Sequence, residues 1–419
     1  MPKEKGKMFY GWWVVVGLFF STFCGAWGRF ILSVCGPAIS RDTGWSTSDI
    51  MLSLTIALFV YSIAVLIVGR LVDKIGGRRV ITIGSICLMV GFALLSMSNE
   101  LWQIYIVHGV LLAIAVSMTH TVPVQGLGRK WFIKRSGLVG GLLIGAFSIS
   151  TAILSPVLTQ SAATIGWRTT SLIAMAFGAV VLLFALFVIR NTPESMGLRP
   201  YGAEEETSDK DAPIEEVNIP PNKAIRTVPF WGLCLAFGLI GIPIQGLLTN
   251  LIFWGEATGM EPGSAGLVLT AYCLPAIFAK LIWGTLGDKY GKRKMQIIGQ
   301  VLCIIVMLAS WLWVESTLSL FILGVAFGLV YGNIALLIPY MGDIFGRKSI
   351  GTLTGYVTAA HGLFGAIGPF LWGKIFDVTG TYNLACLISA VVYFLVLICL
   401  ILARPLSKEA VSALSTNNS

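Results

Sequence analysis

Twelve long apolar stretches, separated by short polar breaks, divide this chain. They run roughly over 9–38, 47–72, 78–98, 101–128, 135–163, 168–190, 227–255, 263–287, 293–313, 317–342, 349–377 and 380–403. Each is near the ~20 residues that a helix needs to cross a bilayer. Backbone groups in lipid must be satisfied within their own segment, so each stretch is expected to be a helix. The first is too long, and lacks the small-residue cleavage site, to read as a signal peptide. One break differs from the rest. Residues 191–226 are acidic, poor in aromatics and carry Pro220-Pro221, which predicts a flexible linker. The expected fold is therefore an all-α membrane protein: a six-helix bundle over 1–190, a cytoplasmic linker over 191–226, a second six-helix bundle over 227–404 and a cytoplasmic tail over 405–419.

Composition agrees with this pattern. The chain is 56% hydrophobic and 12% charged, about half the charged fraction of an ordinary soluble domain. The net charge of +9 could suggest nucleic acid, but its distribution excludes that. On the twelve-span topology, 24 of the 29 Lys and Arg fall on one side, and only Arg41, Arg168 and Lys374 lie in the opposite loops. That is the positive-inside pattern; it predicts a multi-pass protein of the cell membrane, the inner one in a two-membrane cell, with both termini cytoplasmic. The eight cysteines lie within apolar spans and form no CxxC pair, so they read as packing residues. No metal, nucleotide or cofactor signature is present, and no enzyme is expected.

The polar breaks repeat. Gly69-Arg-Leu-Val-Asp73-Lys74-Ile-Gly76-Gly-Arg78-Arg79 returns 215 residues later as Gly284-Thr-Leu-Gly-Asp288-Lys289-Tyr-Gly291-Lys-Arg293-Lys294. A carboxylate at a helix C-terminus opposes the helix dipole, so Asp73 and Asp288 are expected to find partners that change as the bundles rock. Glycines also recur inside spans, as Gly137, Gly140, Gly141 and Gly145 in the fifth and Gly362, Gly365 and Gly368 in the eleventh. Close helix packing, with some flexing, is the expectation.

The repeated Gly-x-x-x-Asp-Lys-x-Gly-x-Arg loop resembles the signature of the major facilitator superfamily. Other segments resemble its monocarboxylate and oxalate–formate porter branch. These are Tyr10-Gly-Trp12-Trp13 at the first span, Lys130-Trp131-Phe132-Ile-Lys134-Arg135-Ser-Gly137 between the fourth and fifth, and Asp343-Ile-Phe-Gly346 before the eleventh. The resemblance covers the chain apart from its linker and tail. It implies a carrier that works by alternating access as a monomer.

Ionisable groups deep in spans are costly and usually functional. Here they are Arg29, His120, Lys280 and His361, with no deep carboxylate. At ~1.5 Å per residue, Lys280 lies ~12 Å, His120 ~14 Å and His361 ~20 Å from the cytoplasmic helix ends, one layer near the midplane. Carriers of this type bind substrate at that depth, between repeats. Cations without a facing acid suit an anion. The resemblance sharpens the roles. Lys280 precedes Trp283-Gly284 where the branch usually has a carboxylate-binding Arg. Ala359-Ala360-His361 stands where oxalate porters carry a Lys. Arg29 matches a first-helix polar contact, His120 or Thr121 a fourth-helix cage residue, Phe147 a fifth-helix aromatic, and Tyr331 and Asn333 the tenth-helix cage. The expected cargo is a small monocarboxylate such as lactate, pyruvate or acetate, moved with protons or by anion exchange. An oxalate or dicarboxylate antiporter anchored by Arg29 and Lys280 is the alternative, and an anion-sensing receptor a minor one.

Overall fold

The computed structural model describes residues 9–203, 219–346, 350–406 and 414. Residues 204–218 of the acidic linker and most of the tail lie outside them, as do Arg347 and Lys348. Among the described residues the chain consists of helices joined by turns and short loops, with one isolated bridge between Phe132 and Tyr201. Eleven helices are long and apolar enough to cross a membrane. We number the spans α1 (Gly11–Thr43), α2 (Thr47–Ile75), α3 (Gly77–Ser96), α4 (Leu101–Trp131), α5 (Ser136–Thr164), α6 (Trp167–Phe187), α7 (Val228–Ala257), α8 (Pro262–Tyr290), α9 (Lys292–Trp313) and α10 (Thr317–Phe345). The next span, α11, is split at Ala366 into Ile350–Gly365 and Ile367–Thr379, each too short to cross alone; α12 is Asn383–Leu402.

The helices group into two compact units. One holds Met1–Ile39 and Val60–Asp211; the other holds Ser40–Phe59 and Ala212–Ser419. In the first unit, both porter-like segments meet in one aromatic clasp. The Phe9 ring lies 5.7 Å from Phe132 and 5.6 Å from Tyr201, and Trp12 lies 4.9 Å from Phe132. Trp131 is fully buried and donates from Nε1 to the Arg190 carbonyl at 3.1 Å. The Tyr10 hydroxyl donates to the Val188 carbonyl at 2.9 Å. Polar tips thus take up the carbonyls that the end of α6 leaves open.

In the second unit, α7 is the most buried helix, and glycine is the reason. A Cβ on Gly241 would stand 2.6 Å from the His361 carbonyl. One on Gly365 would stand 3.1 Å from Gln245 Cγ, and one on Gly368 would strike the Ile242 carbonyl. Gly365 and Gly368 of α11 therefore pack closely against α7, as expected. Those of α5 do not: nothing lies within 4 Å of the Cβ position at Gly137, Gly141 or Gly145. Here the expectation of close packing is corrected. The same unit holds a cluster that joins distant parts of the chain. Asp377 accepts from the Thr47 and Ser48 amides at 3.1 and 2.7 Å, capping α2, while Arg41 pairs with Glu256.

The duplicated loops are tight helix–helix turns. Gly76 and Gly291 carry φ of 86° and 94°, backbone that a side chain would strain. Lys292 Nζ lies 2.7 Å from Asp343. Asp73 and Asp288 are exposed. Neither forms an ion pair or hydrogen bond among the described residues, so these do not supply the expected partner.

Candidate functional site

The first cluster forms where α4 breaks. Pro123 has no N–H, and a proline ring crowds the carbonyl four residues back, here that of Thr119. That carbonyl instead accepts from Ser21 Oγ of α1 at 2.7 Å. The break falls on His120, whose φ and ψ of −110° and −138° leave the helix. A polar backbone at membrane depth is tolerated where protein groups satisfy it.

Around His120 the expected residues assemble. Its Nδ1 lies 2.6 Å from Thr121 Oγ1, and its ring meets Phe147 edge-on at 5.3 Å. Phe147 in turn lies 5.5 Å from Phe30. The half-buried Arg29 guanidinium sits 5.8 Å from the Phe30 ring and 6.0 Å from that of Tyr61, within range of a cation–π attraction. Two ties fix this geometry. Trp27 Nε1 donates to Ser150 Oγ at 3.0 Å, and Ser150 Oγ donates to the Phe23 carbonyl at 2.5 Å. His108, fully buried in the π-helical turn Val107–Leu112, holds the Arg29 carbonyl through Nε2 at 3.4 Å. The structure therefore brings Arg29, His120 and Phe147 together, and adds Tyr61, which no sequence motif marked.

The second cluster surrounds Lys280 on α8. Lys280 is partly buried. Its ammonium forms no ion pair or hydrogen bond among the described residues. Its helix is held rigidly. A Cβ on Gly324 would meet the Val268 carbonyl at 3.2 Å, and one on Gly328 would strike the Tyr272 carbonyl. At Gly332 it would meet Ala279 at 2.6 Å, one residue from Lys280. Trp283 Nε1 donates across to the Leu329 carbonyl at 2.8 Å. The Gly-x-x-x-Gly-x-x-x-Gly spacing was a readable signal that sequence reasoning passed over. Beside it, Tyr331 stacks on Phe327 at 6.0 Å and lies 6.2 Å from Tyr272.

Two expected contacts point elsewhere. Asn333 is buried and spent on a network: its Oδ1 accepts from Gln296 and Gln300 of α9 at 3.0 and 2.9 Å, and its Nδ2 donates to the Val330 carbonyl at 2.7 Å. It holds α10 to α9. His361 lies on α11, with Nδ1 2.9 Å from the Phe237 carbonyl of α7 and its ring 4.8 Å from that of Phe237. A carbonyl accepts only, so Nδ1 carries the proton and the ring ties two helices.

Two units of membrane-length helices, a duplicated helix turn and a partly buried Lys280 with no acid partner among the described residues suit a solute carrier, and comparison with known proteins decides its family. The sequence profile of the Major Facilitator Superfamily matches residues 18–261 and 233–418. The chain belongs to the major facilitator superfamily. Among similar proteins, MFS-type transporter 1 of Ophiocordyceps sp. is 24% identical over 83% of this chain and 74% of its own length. The Escherichia coli transporter YhjX is 23% identical over 84% and 85%, and human monocarboxylate transporter 2 is 24% identical over 89% and 81%. A bacterial homologue of the human lysosomal transporter Spinster, solved inward-facing and unoccupied, superposes with a TM-score of 0.71 at 15% identity, over 98% of this chain and 97% of that one. This likeness is one of fold. The chain is thus a multi-pass membrane transporter of the major facilitator fold, and its relatives are transporters, not enzymes.

Proposed function

We propose that this major facilitator carries small organic monocarboxylates of the lactate, pyruvate or acetate type by alternating access, as a proton symporter or an anion exchanger. The observation that carries the reading is Lys280: an ammonium partly buried in a rigid span, with no carboxylate or hydrogen-bond partner among the described residues. Such a charge is expensive in a membrane unless a substrate anion neutralises it. Lys280 pairs with the carboxylate. Arg29, set among Phe30 and Tyr61, supplies a second cation, and Phe147 and Tyr331 present apolar faces to the substrate body. His120 and His361 are the candidates for a coupled proton, since an imidazole changes charge near neutral pH. The similarity to a monocarboxylate transporter supports the same cargo. The basic excess on one side of the spans supports cytoplasmic termini.

The test is uptake into proteoliposomes holding the purified protein, comparing lactate with oxalate at several external pH values. Saturable lactate uptake that Lys280→Ala abolishes is expected. Unchanged lactate flux in Lys280→Ala removes the site assignment. Preference for oxalate by exchange favours the two-anchor dianion carrier, for which the two cations are the supporting observation. Anion binding without flux favours a receptor.

A further inference from the structure

One face of α3 is left uncovered by the described residues. Arg79, Ile83, Ile86, Val90 and Leu94 are all exposed and recur at steps of three and four, which is one side of a helix. Leu183, Leu186 and Phe187 are likewise exposed at the end of α6. A contiguous apolar stripe is costly in water, but in a membrane it is the surface that acyl chains cover. The α3 stripe begins with a charge. Arg79 stands one turn before Ile83, about 6 Å along the axis.

The two helices are pressed together. A Cβ on Gly178 of α6 would stand 2.7 Å from Met89 Cγ and 3.2 Å from the Ser85 carbonyl of α3. At their basic end a groove of about 640 Å³ opens, with Arg78, Arg79, Thr82 and Ile83 on one side and Leu186 and Asn191 on the other. Arg78 is spent on the protein. Its Nε and Nη2 donate to the Ala185 and Leu186 carbonyls at 2.9 and 2.6 Å. Arg190 donates to the same Leu186 carbonyl at 3.4 Å and to that of Ile189 at 3.1 Å. Arg79 is different: it forms no ion pair or hydrogen bond among the described residues. No acidic side chain is among the described residues that line the groove. Guanidinium groups gathered without an acid suit an anion, and the free fork of Arg79 matches two phosphate oxygens.

We infer that this groove binds an acidic phospholipid from the leaflet at the basic end of the spans, the cytoplasmic one in the topology proposed above. The lipid phosphate sits on Arg79, with the charges of Arg78 and Arg190 behind it, and an acyl chain lies along Ile83, Ile86 and Val90. A free phosphate would meet the cations but leave the stripe bare. A zwitterionic lipid would cover the stripe but bring its own cation to the arginines. The site lies within the first unit and does not depend on the identity of the cargo. Basic pockets between spans at this membrane face are suited to anionic headgroups because the surface there is itself negatively charged.

The test is lipid titration of the purified full-length protein in detergent, read by native mass spectrometry for the tightest lipid adduct. Dioleoylphosphatidylglycerol is compared with dioleoylphosphatidylcholine and with glycerol 3-phosphate, which has the phosphate without the chains. Phosphatidylglycerol is expected to bind about tenfold more tightly than phosphatidylcholine, and glycerol 3-phosphate at equal concentration is expected not to displace it. Arg79→Gln should raise the Kd for phosphatidylglycerol about tenfold, the worth of a hydrogen bond between charged groups. Lys130→Gln, which removes one charge from the same membrane face, should leave it unchanged. Arg79→Lys keeps the charge but loses the fork; it should fall between wild type and glutamine, and it stands in should the glutamine variant not fold. Equal affinity for the two lipids would mean a groove that reads only acyl chains, and would overturn the site. Displacement by glycerol 3-phosphate would overturn it in favour of a free anion. An equal loss in Lys130→Gln, or no loss in either Arg79 variant, would overturn the assignment to Arg79.

Discussion

The Arg293 guanidinium donates to the Ile401 carbonyl at 2.9 Å, and 215 residues earlier Arg78 does the same for Leu186 at 2.6 Å. One arginine in each duplicated loop therefore closes the open end of the last helix of its half. Helix C-termini leave carbonyls unsatisfied, and a cation there also suits the dipole. Arg78→Ala and Arg293→Ala are each expected to lower the thermal midpoint of the purified protein, at a cost of about 1–3 kcal/mol. Lysine at the same positions should restore part of it. An unchanged melting curve in both alanine variants would show that solvent replaces these bonds without loss.

Asn333 separates a structural from a substrate-binding role. Truncation to Ala removes the acceptor of two buried glutamine amides and should cost about 1–3 kcal/mol for each amide left unpaired. Thermal melting should drop sharply, while KM for the carried anion in the surviving protein stays at the wild-type value. A raised KM with normal stability would return Asn333 to the substrate.

Glycines in α10 and α5 should respond oppositely to a single methyl group. Gly328→Ala drives a Cβ into the Tyr272 backbone, and Gly332→Ala drives one into Ala279. Either must push α10 from α8, so poor folding or a shifted Lys280 with reduced transport is expected. Gly141→Ala in α5 meets nothing within 4 Å and should fold at least as well as the wild type, since Ala is the better helix former. Equal melting temperatures for all three would contradict this packing.

Asp377 caps the first turn of α2 through two amides. Asp377→Ala should cost about 0.5–2 kcal/mol, in the range of helix N-caps, and Asp377→Asn, which keeps an acceptor oxygen, less. The outcome is read as increased cysteine labelling of Ser48→Cys in the Asp377→Ala background. Labelling that does not change would mean that the neighbouring Arg41–Glu256 pair and the packing of Gly373 on Ser48 suffice.

Much of this was legible in the chain itself. Span number, the duplicated turns at Gly76 and Gly291 and the porter-like Trp131-Phe132 segment follow from apolar length, glycine placement and motif, which are local properties. The clustering of Arg29, His120 and Phe147 was also foreseen, because resemblance supplies register that periodicity lacks. What failed was direction. Asn333 and Tyr331 are two residues apart, yet the 3₁₀ turn Gly332–Leu336 turns the amide into the α9 network. Sequence depth places a side chain along the membrane normal but not around the helix axis. The α5 glycines failed likewise: composition marks a small residue, and only the neighbouring backbone decides whether anything fills the space.

The glycine ridge of α10 under Lys280 has a bearing on selectivity. Helices pressed backbone to backbone cannot yield by tenths of an ångström without unpacking. The lysine stem, with four methylenes, is then the compliant part of its own wall. Substrates one or two carbons longer would be met by bending a side chain rather than by moving a helix. A guanidinium in that place would demand one angle of approach. If Lys280 holds a substrate carboxylate as proposed, discrimination by chain length across a series of acids should fall off gently.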